Sequence, residues 1–226
     1  MFSIPLLITI YAGFTHAFEA DHLLAVSNIV SRRNNMWTSM KDGTFWGLGH
    51  ASTIIFIGIL MILFKVGIPD QYFHYFESIV GLMLILLAIY RLAVFFRENK
   101  LVVHTHEHEH GGEGHRHLHI HVGNTRAHQH SHSLAYGVGL VHGLAGSGVL
   151  ILIVMAEMKS AADGLIYLVI FSGGCIIGML VAAGLFSVPF SKKIMQAQIL
   201  QSALIIITSL LCFAYGGKVI YENLFI

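Results

Sequence analysis

The feature that most restricts this chain is the repetition of apolar stretches long enough to cross a lipid bilayer. A helix needs roughly 20 mainly apolar residues to span about 30 Å of hydrocarbon. Six such stretches occur, near 4–30, 43–64, 73–97, 134–158, 164–188 and 197–221. Only 11% of the 226 residues are charged and 55% are hydrophobic, with a mean hydropathy of +0.72. A soluble domain of this size would lack the polar surface to face water. The expected fold is therefore all-α, a polytopic membrane protein with six transmembrane helices and the lipid bilayer as its solvent.

No basic residue precedes Arg32, so the first stretch lacks the basic start of a signal peptide and is expected to be a retained helix. The net charge of +1 excludes nucleic acid as a partner, because polyphosphate binding needs a clustered cationic excess. Cys175 and Cys212 both lie inside apolar stretches and set no disulfide framework. Arg91, late in the third stretch, and Glu157, at the end of the fourth, are read as boundary residues whose heads snorkel to the interface.

With six spans, Arg32, Arg33, Lys41, Arg97, Lys100, Arg116, Arg126, Lys192 and Lys193 share one face, and Lys65, Lys159 and Lys218 share the other. The positive-inside bias puts the first face in the cytoplasm and both termini outside. The cytoplasmic face then carries a polar segment rich in histidine. It divides the chain into residues 1–99, a first three-helix unit, 100–133, a flexible loop, and 134–226, a second three-helix unit. Eleven of the 16 histidines fall in the loop, among them His104, His106, His108, His110, His115, His117, His119 and His121. Such a segment buries too little apolar surface to fold alone, and its closely spaced imidazoles are accessory metal ligands at neutral pH.

The two units echo one another. Gly13 to His16 and Gly47 to His50 in the first correspond to Gly139 to His142 and Gly173 to Cys175 in the second, at an offset of 126 residues for His16 and His142. Three spans per unit is an odd number, so the second must lie inverted relative to the first, a 3+3 inverted repeat.

The sharpest motif is His16-Ala-Phe-Glu19-Ala-Asp21-His22, four ionisable side chains inside the first stretch. A charge at the bilayer centre costs at least about 2.5 kcal/mol. A purely structural cluster would use Ser, Thr or Asn without that cost, so these groups point to a bound cation. On a regular helix at 100° per residue, His16, Glu19 and His22 share a face and Asp21 lies nearly opposite. Either Asp21 supports a neighbouring ligand, or the helix unwinds there to line a polar cavity. His50 lies among the small residues of the second stretch and is placed to complete the site. His142 is followed by Gly143, Gly146 and Gly148, each weakening a helix by about 1 kcal/mol relative to alanine. It is read as a pathway residue on a broken span, set against a small-residue packing seam. The candidate metal set is thus His16, Glu19, Asp21, His22, His50 and His142. Neutral imidazole with carboxylate suits nickel, cobalt or zinc.

At these residues the chain resembles the nickel/cobalt transporter superfamily, and within it the short UreH-type branch. The superfamily signature, His, four residues, then Asp-His, stands as His16, Asp21 and His22. Its companion pattern stands as Leu48-Gly49-His50-Ala51-Ser52-Thr53, and GLVHGLAGSG is a further point of likeness. The resemblance implies a permease for Ni2+ or Co2+ in the plasma (inner) membrane of a bacterium or archaeon. Its substrate would be the ion itself, with no prosthetic group and no enzymatic activity, and metalloenzyme maturation proteins would be its partners. Larger permeases of the superfamily have eight spans, and position 19 is Glu where they carry Asp. The same residues admit two other functions. One is a membrane metal sensor or assembly partner. The other is an intramembrane metalloenzyme, which lacks the His-Glu-x-x-His pattern. Import and export remain equal readings.

Overall fold

The computed structural model describes residues 4–31, 33, 35–64, 69–98, 101–110, 113–122, 132–145, 160–190 and 198–226. Hydrocarbon offers the backbone no hydrogen-bond partner, so a spanning segment must satisfy its own amides, which a helix does. Helices α1 (Ile4–His16), α2 (Ala20–Val30), α3 (Met36–Phe64) and α4 (Asp70–Glu98) make up the first unit. The second contains α5 (Ser133–Ala145), α6 (Ala161–Ser187), a 3-10 turn at Val188–Phe190, and α7 (Gln198–Phe225). Among the described residues, four segments are long and apolar enough to cross a membrane, Met36–Phe64, Gln71–Arg97, Ala161–Phe190 and Leu200–Phe225, and α1 and α5 are shorter apolar helices. The glycine-rich continuation of the fourth stretch, with Glu157, lies outside the described residues.

The second stretch begins earlier than its hydropathy indicates. Asn35 accepts a hydrogen bond on its side chain from the Trp37 amide at 2.9 Å, which caps the helix and carries it back to Met36. Asp42 is thereby inside α3 and only 1% exposed. Arg33 donates to both oxygens of Asp42, through Nε and, at 3.1 Å, through Nη2. His132 Nδ1 lies 2.6 Å from the Asp42 carboxylate, and its ring stacks on Phe45 at 4.9 Å. One buried acid thus ties the α2–α3 turn, α3 and the start of α5 together.

Close helix approach rests on small residues. A β-carbon at Gly174 would collide with the Ile10 carbonyl, and one at Gly178 with the Phe14 carbonyl, so α1 runs against α6, parallel to it. The same relation holds between α5 and α3, where Gly139 abuts Trp46 and His50, and Gly49 abuts Tyr136 and Leu140. Thr53 then donates across that seam to the Leu140 carbonyl at 2.8 Å. Helix α3 runs antiparallel to α6, with Gly43 on Met179 and Gly58 on Leu168. Helices α4 and α7 are likewise antiparallel, with Gly81 and Gly216 in mutual contact. Buried Trp46, Ile54, Leu168, Phe171 and Met179 fill the centre, while Leu7, Phe56, Leu82 and Leu211 face outward, as lipid contact requires.

Helix α2 is buried over His22 and every residue from Ala25 to Val30. Its polar groups are paired across the bundle. Asn28 Nδ2 donates to the Leu24 and Thr208 carbonyls, and Ser209 donates to Asn28 Oδ1 at 2.9 Å. Arg91 does not snorkel as expected from its position. It is 4% exposed and donates from Nε to Ser31 Oγ at 2.6 Å, pinning α4 to the end of α2.

The fold adds one element to the all-α expectation. Strands β1 (Leu101–His110) and β2 (Glu113–Val122) pair antiparallel within the segment expected to be a flexible loop. Histidine at every second position, alternating with Thr and Glu in β1 and with Arg, Leu, Ile and Val in β2, has the period-2 pattern of a strand, a signal that composition alone conceals.

Candidate metal centre

The site is built on a broken helix. Backbone bonds from Phe18 to Thr15 (2.9 Å) and from Glu19 to His16 (3.1 Å) tighten the end of α1, and Glu19 is extended (φ −67°, ψ 156°) before α2 begins. Both readings of the motif have a counterpart: the chain is unwound between His16 and Ala20, and Asp21 holds the neighbouring His22 ring. Glu19 stays beside His16, whereas Asp21, which a straight helix would turn away, lies against His22 and His142. The C-terminal end of α1 carries partial negative charge beside His16, which favours a cation. The first turn of α2 carries partial positive charge beside Asp21, which favours its carboxylate.

Four imidazoles converge there. The ring centres lie at 4.6 Å for His16 and His22, 5.4 Å for His16 and His50, 5.4 Å for His22 and His50, and 4.4 Å for His22 and His142. His50 arrives from α3 and His142 from α5, and the Gly139 contact fixes how closely those helices approach. Trp46 and Phe171 wall the cluster, at 5.6 Å from His142 and 5.7 Å from His16 respectively. Neither aromatic was singled out from the sequence, where each reads as one more apolar residue of a span. Asp42, likewise missed, had a legible signal as an acid adjoining an apolar run.

Two of the imidazoles are oriented by carboxylates. His16 Nδ1 donates to Glu19 Oε1 at 2.9 Å, and His22 Nδ1 donates to Asp21 Oδ1 at 3.0 Å. Each proton so fixed leaves Nε2 as a lone-pair donor, the arrangement that carboxylates impose on metal-binding histidines. Glu19 is thus an orienting partner of His16, with its side chain 57% exposed. Asp21 also accepts the His22 backbone amide at 2.9 Å. Its second oxygen, Oδ2, lies 3.3 Å from His142 Nε2, close enough for an ion pair but without hydrogen-bond geometry.

What remains is a surplus of unused donors. His16 Nε2, His22 Nε2 and both nitrogens of His50 and His142 are buried and have no hydrogen-bond partner. A buried polar group left unmade costs about 1–3 kcal/mol, and His50 is wholly buried. Among the described residues, two sets of donors each converge to within 4.8 Å, His16 with His22 and His50, and Asp21 with His22 and His142. Lone pairs of this number and type, facing one another, fit a borderline divalent ion. The histidines at 104–121 stand on the two strands, away from this set in the chain.

Apolar spans enclosing a buried cluster of histidines and a carboxylate define an integral membrane protein. The chain belongs to the family described as the cytochrome C biogenesis protein transmembrane region, which matches it over residues 13–216. It is also 32% identical, over 215 residues, to the urease accessory protein UreH of Bacillus sp. (strain TB-90), covering 93% of this chain and 87% of that relative. No solved structure matches it. Its two cysteines form no pair: Cys175 packs with Ile54 and Phe171, whereas Cys212 contacts the Leu84 carbonyl, and both are free. The chemistry on offer is that of imidazole and carboxylate.

Proposed function

We propose that this protein is a permease that carries a divalent transition-metal ion, nickel or cobalt, across the plasma (inner) membrane of a bacterium or archaeon. One observation carries the reading, the set of buried imidazole nitrogens that face one another without partners. The ion sheds part of its water shell, binds His16, His22, His50, His142 and Asp21, and leaves when the two halves of the molecule rock to the other face. Glu19, exposed at the helix break, holds His16 and attracts the ion. Zinc shares the donor preferences and is a competing substrate.

The rocking halves are a 3+3 inverted repeat across six spans. Supporting this, the contact of Gly13 with Phe171 and Cys175 has its counterpart, 126 and 125 residues away, in that of Gly139 with Trp46 and His50. The ring contact of His16 with Phe171 is matched by that of His142 with Trp46. The His-rich segment is cytoplasmic and binds further ions. In the hairpin register His104 pairs with His119, His106 with His117 and His108 with His115.

Proteoliposomes containing the protein take up Ni2+ or Co2+ above protein-free vesicles, and His16→Ala and Asp21→Asn lower that flux sharply. Wild-type flux in both variants refutes the proposal. A second reading is supported by the relative's name, an accessory protein of urease: a membrane metal-binding partner that hands an ion to an assembling metalloenzyme. Such a protein binds the ion in detergent but leaves vesicle flux at the protein-free level.

A further inference from the structure

Three of the four histidines of the centre come from elements that meet a second time. His22 stands on α2, His50 on α3 and His142 on α5. Followed away from the centre, the same elements bring together Arg33 in the turn after α2, Asp42 in α3 and His132 just before α5. The Asp42 carboxylate accepts two bonds from Arg33 and lies 2.6 Å from His132 Nδ1. Asp42 and His50 are eight residues apart, and His132 and His142 ten, which is about 12 and 15 Å of helix at 1.5 Å per residue. The ion cluster thus closes the three elements over one end of the centre.

Between the two levels stands Trp46. Positions 42, 46 and 50 are four apart and share a face of α3, and all three side chains are buried. The indole meets Gly139 of α5 and lies against the His22 and His142 rings. Its Nε1 has no hydrogen-bond partner among the described residues, so packing alone holds it there. The approach from the helix break is thinner. His16 is bonded to Glu19, whose side chain is 57% exposed. An ion at Glu19 is one imidazole from the centre, whereas an ion leaving between α3 and α5 has to pass the indole and then the buried ion cluster.

We infer that Arg33, Asp42 and His132 form a gate over one end of the centre, and that the ion is released there when His132 parts from Asp42. Arg33 and Asp42 belong to the first three-helix unit, and His132 leads into the second. The Asp42–His132 contact is therefore the part of the gate that breaks as the units move. Arg33 stays on Asp42 when the gate opens, which keeps the acid compensated and prevents it from trapping the passing ion. Phe45, stacked on His132 at 4.9 Å, aligns the imidazole for closing.

This inference rests on the transport reading, and the experiment separates the two. In the full-length chain the two free cysteines, Cys175 and Cys212, are changed to Ser to give a parent. Phe45→Cys with His132→Cys then puts two thiols at the rim of the gate and leaves Arg33 and Asp42 in place. A short reducible bis-thiosulfonate joins them. Cross-linking is expected to abolish Co2+ flux in proteoliposomes, and reduction to restore it, while the Co2+ bound per chain in equilibrium dialysis is unchanged. A second variant serves if that pair fails to fold. Ala135, buried one turn in from His132 on α5, is changed to Cys in the parent. Ala135→Cys is expected to react slowly with a hydrophilic maleimide at rest, faster while Co2+ flows, and fast even at rest once His132→Ala is added.

A parent without Co2+ flux refutes the transport reading and the gate with it. A parent that transports, but whose flux survives the cross-link or whose labelling of Ala135→Cys is the same in all three conditions, has a static tie at Asp42, and the inference alone is overturned. Loss of bound Co2+ on cross-linking overturns it too, because the clamp then acts on the centre and not on the way out.

Discussion

Replacing Asp42 with asparagine tests whether the buried acid at the start of α3 holds the two halves of the chain in register. The carboxylate is 1% exposed, and its partners Arg33 and His132 are 17% and 21% exposed. Removing one member of a fully buried ion pair costs about 3–5 kcal/mol. Partial access of both partners to polar surroundings reduces this, so about 2–3 kcal/mol is expected here. At about 1.4 kcal/mol per tenfold change, the folded population relative to the unfolded falls roughly 30- to 150-fold. With about 2–4 °C per kcal/mol for a chain of this size, the melting temperature drops by about 4–12 °C. The assay is thermal unfolding of detergent-purified protein followed by fluorescence-detected size exclusion. An apolar replacement of a whole buried pair is often neutral, so Asp42→Leu with Arg33→Leu is expected to recover much of the loss. If Asp42→Asn melts with the wild type, or if the double replacement is worse than the single, the acid is not what ties the α2–α3 turn to α3 and α5.

Three further outcomes follow from the packing and the site. Gly139→Val forces a branched side chain against Trp46 and the His50 amide; overpacking costs about 1–3 kcal/mol, and Co2+ affinity is expected to fall in equilibrium dialysis as His142 is pushed away from His22. Glu19→Gln keeps a hydrogen-bond acceptor but loses the charge that orients His16, so metal affinity drops about 10- to 100-fold while the melting temperature stays near the wild-type value; an unchanged affinity counts against its orienting role. Trp46→Ala empties a fully buried site at a cost of about 3–5 kcal/mol, measurable as a lower melting temperature even in protein without added metal.

Much of the helical framework is legible in the apolar runs, because a span must be long, uncharged and self-satisfied in its hydrogen bonds. Four runs emerge as long helices near the expected positions. Boundaries were misread where a polar residue is paired inside the bundle. Hydropathy ends the second run at Gly43 because Asp42 and Lys41 follow towards the N-terminus, yet the Asn35 cap and the Arg33 bond let the helix include the acid. Arg91 misleads in the same way, since nothing local in its sequence indicates that Ser31, sixty positions earlier, receives it. Composition also hid the hairpin, where the count of histidines reads as disorder while their recurrence at every second position reads as strand.

The site was legible as residue types and illegible as geometry, for a definite physical reason. The energetic penalty of acids and imidazoles in lipid depends only on which residues occur in an apolar run, so His16, Asp21, His22 and His50 could be named from the chain alone. Which of them ligate depends on the path of the backbone, and three residues of non-helical chain between His16 and Ala20 reverse the roles that a straight helix assigns. Glu19 turns to hold His16 from outside, and Asp21 enters the centre beside His142. That break also separates the two carboxylates by function: one fixes a proton on an imidazole, and the other has an oxygen left over. On the permease reading proposed above, four imidazoles with one inward carboxylate, Asp21, leave the charge of a doubly charged ion partly uncompensated, so that the ion binds without being trapped.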